Sequence, residues 1–175
     1  HTGSFFNEQE LKKIKRRAAE ILEKQSLFEE EICLFGEIKL FQRIETIVLR
    51  QAPHLIAQGR HAVLADWLGL LPEERVSANP YLLYWKSLAL LTTDPLQSGT
   101  LCARAYALFT QQADLFGRVL SWSLAVNIPF MVRNSFADLD QWIAEGDQLA
   151  TVLPNDSVPD LAASLASGML MALLQ

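Results

Sequence analysis

Apolar residues recur every three or four positions along nearly the whole chain, a spacing that gathers them on one face of successive α-helices. Leu11, Ile14, Ala18, Ile21 and Leu22 mark the first such face, with Asn7 as N-cap and Glu10 where a capping box places an acid. Leu27, Phe28, Ile32 and Phe35 carry a short second helix closed by Gly36. Leu40, Phe41, Ile44, Ile47 and Val48 carry a third that runs through Pro53 to Gln58 and ends at Gly59. Val63, Leu64, Trp67, Leu68 and Leu71 give a fourth, stopped at Pro72. Pro80 opens a fifth that reaches Leu91 and is apolar nearly all round, the pattern of a buried helix. Asp94-Pro95 is an N-cap and N1 pair for a sixth, whose face is Leu101, Ala105, Leu108 and Phe109. Phe116, Val119, Leu120 and Leu124 carry a seventh, which Pro129 should kink or end by removing the bond back to residue 125. Leu139, Trp142, Ile143, Leu149 and Leu153 make an eighth; Pro154 to Pro159 is a loop, and residues 160–175 form a ninth.

No stretch alternates at period two between turn signals, so strands are not needed. With half of the 175 residues apolar and 20% charged, a substantial core can be buried. His1-Thr2-Gly3-Ser4 reads as a purification-tag remnant, which leaves residues 5–175 as one helical domain. The expected fold is all-α: antiparallel helix pairs stacked in chain order, about four pairs and a terminal helix.

Repeat spacing sharpens that expectation. Trp85 and Trp122 stand 37 residues apart, each in the longer, first helix of a proposed pair, and Trp67 and Trp142 stand 75 apart, each in a second helix. The tetratricopeptide pattern, W-x2-L-G-x2-Y followed by A-x3-F at a period of about 34, is met in part by Trp85-x2-Leu88-Ala89 and by Ala105-x3-Phe109. Thr92 replaces the tyrosine, and the two halves lie about four residues further apart than usual. The pairs therefore read as a divergent tetratricopeptide-like, right-handed solenoid. Leu161, Leu165, Met169 and Leu173 put an apolar stripe on the last helix with no partner after it; solenoid ends are normally polar. That stripe predicts a chain cut from a longer protein, or a dimer formed there.

Several function classes are disfavoured. Net charge is −5 and the sequence pI about 5.2, so the basic footprint of a nucleic-acid-binding domain is missing. Cys33 and Cys102 belong to no CxxC pair and read as buried thiols in a reducing compartment. No segment approaches the roughly 18 apolar residues of a membrane span, and no secretion signal opens the chain, so the cytoplasm is expected. His54 and His61 lack a third ligand at metal spacing. Glu29, Glu30 and Glu31 splay around a helix instead of converging as an acid/base pair, and no G-x-S-x-G elbow is present. An enzyme is not expected. The run Lys12, Lys13, Lys15, Arg16 and Arg17 reads first as the wet side of the first helix and second as a phosphate-binding or domain-contact patch.

The segment from His54-Leu-Ile-Ala-Gln-Gly-Arg-His61 to Trp67-Leu-Gly-Leu-Leu-Pro-Glu-Glu-Arg75 resembles the "A-x-G-R, then W-L-x-x-L-P-E-E" stretch of MalT-like regulators. Arg16-Arg17-Ala18-Ala19-Glu20-Ile21-Leu22 is similar to the helix that begins their repeat region. Pro80-Tyr-Leu-Leu-Tyr-Trp85, Asp94-Pro95, Ala105-Tyr-Ala-Leu-Phe109 and Asp140-Gln-Trp142-Ile143 fit the same group. The likeness covers roughly residues 14 to 150, and Leu27-Phe-Glu-Glu-Glu-Ile32 departs from the family's glycine-aspartate turn. The resemblance implies a bacterial transcription regulator with a signal-transduction ATPase core, a helical-repeat sensor region and a LuxR-type DNA-binding terminus. This chain would be the sensor. No G-x-x-x-x-G-K-[ST] loop occurs here, so neither a nucleotide site nor any other cofactor is expected in it.

The expected partners are a small-molecule inducer or a regulatory protein, and the adjacent ATPase and DNA-binding domains; direct nucleic-acid or membrane contact is not expected. The alternative is a stand-alone scaffold that binds a partner helix or peptide. In either case the candidate groove residues are Tyr81, Tyr84, Trp85, Arg118, Ser121, Trp122 and Asn127, with Phe130 beside them. Aromatic rings with polar tips suit amphipathic ligands. The competing reading is that Trp85 and Trp122 fill equivalent core positions.

Overall fold

The computed structural model describes residues 8–24, 27–131 and 139–152. Among them the chain is all helical: α1 (Glu8–Lys24), α2 (Phe28–Glu37), α3 (Phe41–Ala57), α4 (His61–Gly69), α5 (Glu73–Ala78), α6 (Pro80–Leu90), α7 (Pro95–Gln111), α8 (Leu115–Met131) and α9 (Leu139–Val152). No described helix is long and apolar enough to cross a membrane. The chain divides into two compact units, the cut falling within α5 between Arg75 and Val76.

In the first unit α1 packs on α2, α2 on α3 and α3 on α4. The α1 face predicted to be buried is only half covered. Ala19 is enclosed, whereas Leu11, Ile14 and Ile21 stay exposed. Glu31, inside the acidic run expected to be solvated, is fully buried with its neighbours Ile32 and Phe35. Gly36 does not close α2; it lies within the last helical turn. Lys39 takes the left-handed conformation instead (φ 56°), and Leu40 N–H and Lys39 N–H return to the carbonyls of Phe35 and Gly36 at 2.9 and 3.1 Å. The same motif closes α3 at Gly59, as expected (φ 70°), where Arg60 N–H reaches Leu55 O at 2.8 Å. Pro72 stops α4 as expected, but the chain then makes the one-and-a-half-turn helix α5, which the sequence pattern did not suggest.

In the second unit α6 packs on α7, α7 on α8 and α8 on α9, and α6 also meets α8. Pro80 and Asp94-Pro95 open α6 and α7 as expected, and Asn79, not singled out in the sequence, adds a side-chain cap to α6. Asn79 Oδ1 accepts from Tyr81 N–H at 3.0 Å ahead of α6, and Asp94 Oδ1 from Gln97 N–H at 3.0 Å ahead of α7. Two buried hydroxyls clamp α6 to α7: Ser87 Oγ donates to Ser98 O and Ser98 Oγ to Ser87 O, each at 2.8 Å. At its C-terminus α7 closes through Ala113 (φ 55°), with Asp114 N–H on Phe109 O at 2.9 Å. Asp114 Oδ1 then accepts from Gly117 N–H at 2.9 Å and starts α8. Pro129 lies inside α8, which runs on to Met131, so the proline does not end the helix where it stands. Glycines permit the close helix approaches here. A Cβ on Gly117 would lie 2.1 Å from the Phe109 ring, and one on Gly146 2.4 Å from Trp122. Trp122, Val119, Val126, Tyr106, Leu139 and Leu149 form one cluster of this unit's core, with Trp142 and Ile143 packed at its edge. The apolar stripe expected at Leu161, Leu165, Met169 and Leu173 lies outside the described residues.

Candidate functional site

The residues predicted to line a groove sit on two helices, Tyr81, Tyr84 and Trp85 on α6 and Arg118, Ser121, Trp122 and Asn127 on α8. They are not gathered at one surface. Trp122 is fully buried, and its Nε1 donates to the carbonyl of Trp142 at 2.6 Å, so the ring ties α8 to α9. Ser121 is equally buried and donates back to Gly117 O at 2.7 Å within its own helix. Asn127 bonds Ser123 O at 2.6 Å. Tyr84 is buried edge-on against the half-buried Trp85, ring centroids 4.9 Å apart, and burial pushes its phenol up to about 12. Tyr81 packs edge-on against Phe109 and donates to Asp114 Oδ2 at 2.7 Å; burial, then that carboxylate, raises its phenol to about 12. The side chain of Phe130 lies outside the described residues.

Arg118 alone among the seven leads to a concave site. Its Nη2 donates to Tyr106 Oη at 3.3 Å and its guanidinium lies 5.6 Å above the Tyr106 ring. The Tyr106 hydroxyl in turn donates to Glu145 Oε2 at 2.5 Å, and its ring meets Trp142 edge-on at 5.2 Å. Burial raises the Tyr106 phenol, the Glu145 bond adds to the rise, and Arg118 opposes it. Tyr106, Trp142 and Glu145 line a cleft of about 570 Å³ whose other walls come from α7, the end of α8 and the start of α9, within the second unit. Small side chains open it: Gly99, Ala103 and Ala107, four residues apart, leave a furrow along α7.

The cleft can hold an amphipathic molecule. Trp142 offers a half-buried ring and Ile128 an apolar floor, while Gln141 and the Glu145 carboxylate provide polar contacts. It holds no activated nucleophile. The nearby Cys102 thiol donates to Ser121 O at 3.0 Å, and burial pushes it up to about 12, so it stays protonated at neutral pH. Among the described residues no three His, Cys, Asp or Glu side chains are grouped to hold a metal ion. The sequence reading did not single out Tyr106 or Glu145 as site residues. The available signal was the Gly99, Ala103, Ala107 spacing on α7, facing Trp142 and Glu145 three apart on α9. Comparison with protein-family models, curated proteins and solved structures finds no match to this chain.

Proposed function

We propose that this chain is a non-catalytic sensor segment, a tetratricopeptide-like array of a MalT-like bacterial transcription regulator in the cytoplasm, and that the α7–α8–α9 cleft receives its small-molecule inducer. The binding part of this reading is carried by one observation: a partly enclosed aromatic cleft in which Tyr106, Glu145 and Arg118 form a single polar chain. The regulator part rests on the segment from His54 to Arg75 and the motifs that follow it. Two successive hairpins, α6–α7 and α8–α9, with α6 also meeting α8, are the neighbour relations that a solenoid of helix pairs requires.

The mechanism is a population shift. A ligand seated between α7 and α9 touches both, so its affinity depends on how α9 is set against the α7–α8 corner. Binding then favours one curvature and changes the contacts offered to the neighbouring ATPase and DNA-binding domains. A thermal-shift screen of the whole chain against sugars, amino acids and other metabolites tests the reading. A ligand at about 100 times its dissociation constant adds about 2.7 kcal/mol, several degrees for a domain of this size. Ala103→Leu, at an exposed position, narrows the cleft without disturbing the core and should abolish the shift. A shift that survives in Ala103→Leu rules out this cleft, and no shift from any compound rules out the inducer in favour of a protein partner. The coding frame supplies the second test: it must place an ATPase before this segment and a helix-turn-helix after it.

A further inference from the structure

The two ends of the α7–α8–α9 cleft differ in chemistry. Gly99, Ala103 and Ala107 open a furrow of about 12 Å along α7. Ile128 stands at its Gly99 end, since a Cβ on Gly99 would meet the Ile128 Cγ2 at 3.5 Å. Pro95, Leu96 and Pro129 make that end apolar. The α7 N-terminus also lies there, and the Asp94 carboxylate that caps it answers its positive potential. Glu145 stands at the other end, bonded to Tyr106. Among the described residues that line the cleft Glu145 alone is ionised at neutral pH, because burial holds the Tyr106 phenol above its ordinary value. Trp142 precedes it by one helical turn, so indole and carboxylate share a face of α9. Tyr106 meets the indole edge-on, with 90° between the planes, and so leaves at least one indole face uncovered by it.

We propose that the cleft binds a small protonated amine with an apolar body, its ammonium at Glu145 and Trp142 and its body along the α7 furrow. This rests on the cleft being the ligand site and names the class of its ligand. Both groups at that end attract a cation, the carboxylate by its charge and the indole by the negative face of its ring. The carboxylate accepts from Tyr106 through Oε2 and has capacity for further donors. A charged donor makes a stronger bond there than the neutral phenol does. An anion would meet the charge of Glu145 and few donors. Thr100 Oγ1 already donates to Leu96 O at 3.2 Å, the Tyr106 hydroxyl donates to Glu145, and Pro95 and Pro129 have no N–H. Arg118 does not line the cleft; its guanidinium lies over the Tyr106 ring. A neutral ligand fills the furrow equally well yet gives the carboxylate no counter-charge.

Calorimetric titration of the full chain with hexylamine, hexanol and hexanoate, at neutral pH and constant ionic strength, tests this. Hexylamine should bind roughly tenfold more tightly than hexanol, and hexanoate not at all. Glu145→Gln keeps an acceptor for Tyr106 while removing the charge, so it should lower hexylamine to the hexanol affinity and leave hexanol unchanged. Asp147→Asn removes the same charge from an exposed position on α9 and should change neither, which separates a seat at Glu145 from general attraction to a chain of net charge −5. Ala103→Leu should abolish both. The amine is overturned if hexanol or hexanoate binds as tightly as hexylamine, or if Glu145→Gln weakens hexylamine no more than Asp147→Asn does. In those cases loss of binding in Ala103→Leu still leaves the cleft as the ligand site. Hexylamine binding that survives Ala103→Leu overturns the amine and the cleft together. Binding by none of the three overturns the amine alone, and the metabolite screen then decides the cleft.

Discussion

Gly117→Ala puts the packing of α7 on α8 to a direct test. An added methyl would sit 2.1, 2.2 and 2.6 Å from Cδ1, Cε1 and Cγ of Phe109. Comfortable carbon–carbon contact begins near 3.5 Å, so the ring or the helix must yield by about 1.4 Å. The ring has nowhere to go. Phe109 is fully buried, Tyr81 packs edge-on against it at 4.8 Å, and Tyr81 is itself held by Asp114 at 2.7 Å. Overpacking of this severity costs about 3 kcal/mol or more, against a gain of about 1 kcal/mol from alanine's helix propensity. The net loss of about 2 kcal/mol lowers the melting temperature by roughly 10 °C for a unit of this size. Gly99→Ala is the control, because its methyl would meet only Ile128 Cγ2 at an ordinary 3.5 Å. It should raise stability by up to about 1 kcal/mol. Thermal unfolding followed by circular dichroism reads both, and Phe109→Leu in the Gly117→Ala background should recover part of the loss. If Gly117→Ala melts at or above the parent temperature, α7 and α8 do not approach as described.

Three further outcomes follow from particular contacts. Ala113→Gly relieves a left-handed alanine (φ 55°) and should raise the denaturant midpoint, by about 0.5–1 kcal/mol after glycine's greater unfolded-state entropy is counted; a lower midpoint would count against the α7 cap. The chain's tyrosines, Tyr81, Tyr84 and Tyr106, all have phenols raised above the usual 10, the first two to about 12. A raised folded pKa stabilises the protein below pH 10 and is lost as pH climbs towards 12, so tyrosinate absorbance should appear late and together with helix loss; a separate titration at pH 10 in the folded state would contradict their burial. Removing the Ser87–Ser98 clamp one hydroxyl at a time should cost roughly 1–3 kcal/mol each, with a double-mutant coupling above about 0.5 kcal/mol; additive losses would show that the two bonds are independent.

All the helices but α5 were legible because each carries an apolar stripe at helical period, and the starts of α6 and α7 because Pro80 and Asp94-Pro95 are local signals. Where a local signal had a competitor, the reading went astray. Gly36 attracted the end of α2, while the left-handed residues that close α2 and α7 are Lys39 and Ala113, types that favour no such conformation. Their conformation is imposed by the return bonds to Phe35 and Phe109, and those depend on packing. Trp122 could be placed on α8 from its spacing. Whether it faced core or solvent depended on Gly146, 24 residues later, leaving room for the ring. The cleft was least legible. Tyr106, Trp142 and Glu145 have no shared motif, and only the packing of α7, α8 and α9 brings them together.

The same contacts indicate where a ligand in that cleft would act. The α7–α8 corner is fixed several times over by one residue. Asp114 closes α7 with its N–H, caps α8 with Oδ1 and holds Tyr81 with Oδ2. Glycine-to-ring contact between Gly117 and Phe109 leaves that corner little slack. α9 is held to α8 by the Trp122 indole, and it meets α7 through Tyr106, whose hydroxyl bonds Glu145 and whose ring touches Trp142. A ligand that takes over the Glu145 carboxylate breaks that link while the α7–α8 corner stays in place. Movement should therefore appear in α9 and not in α6, α7 or α8. Hydrogen exchange with and without ligand reads this directly: altered protection confined to residues 139–152 supports the mechanism. Protection that changes equally across α6–α8 would mean that these helices move with α9 and that the cleft does not set its position.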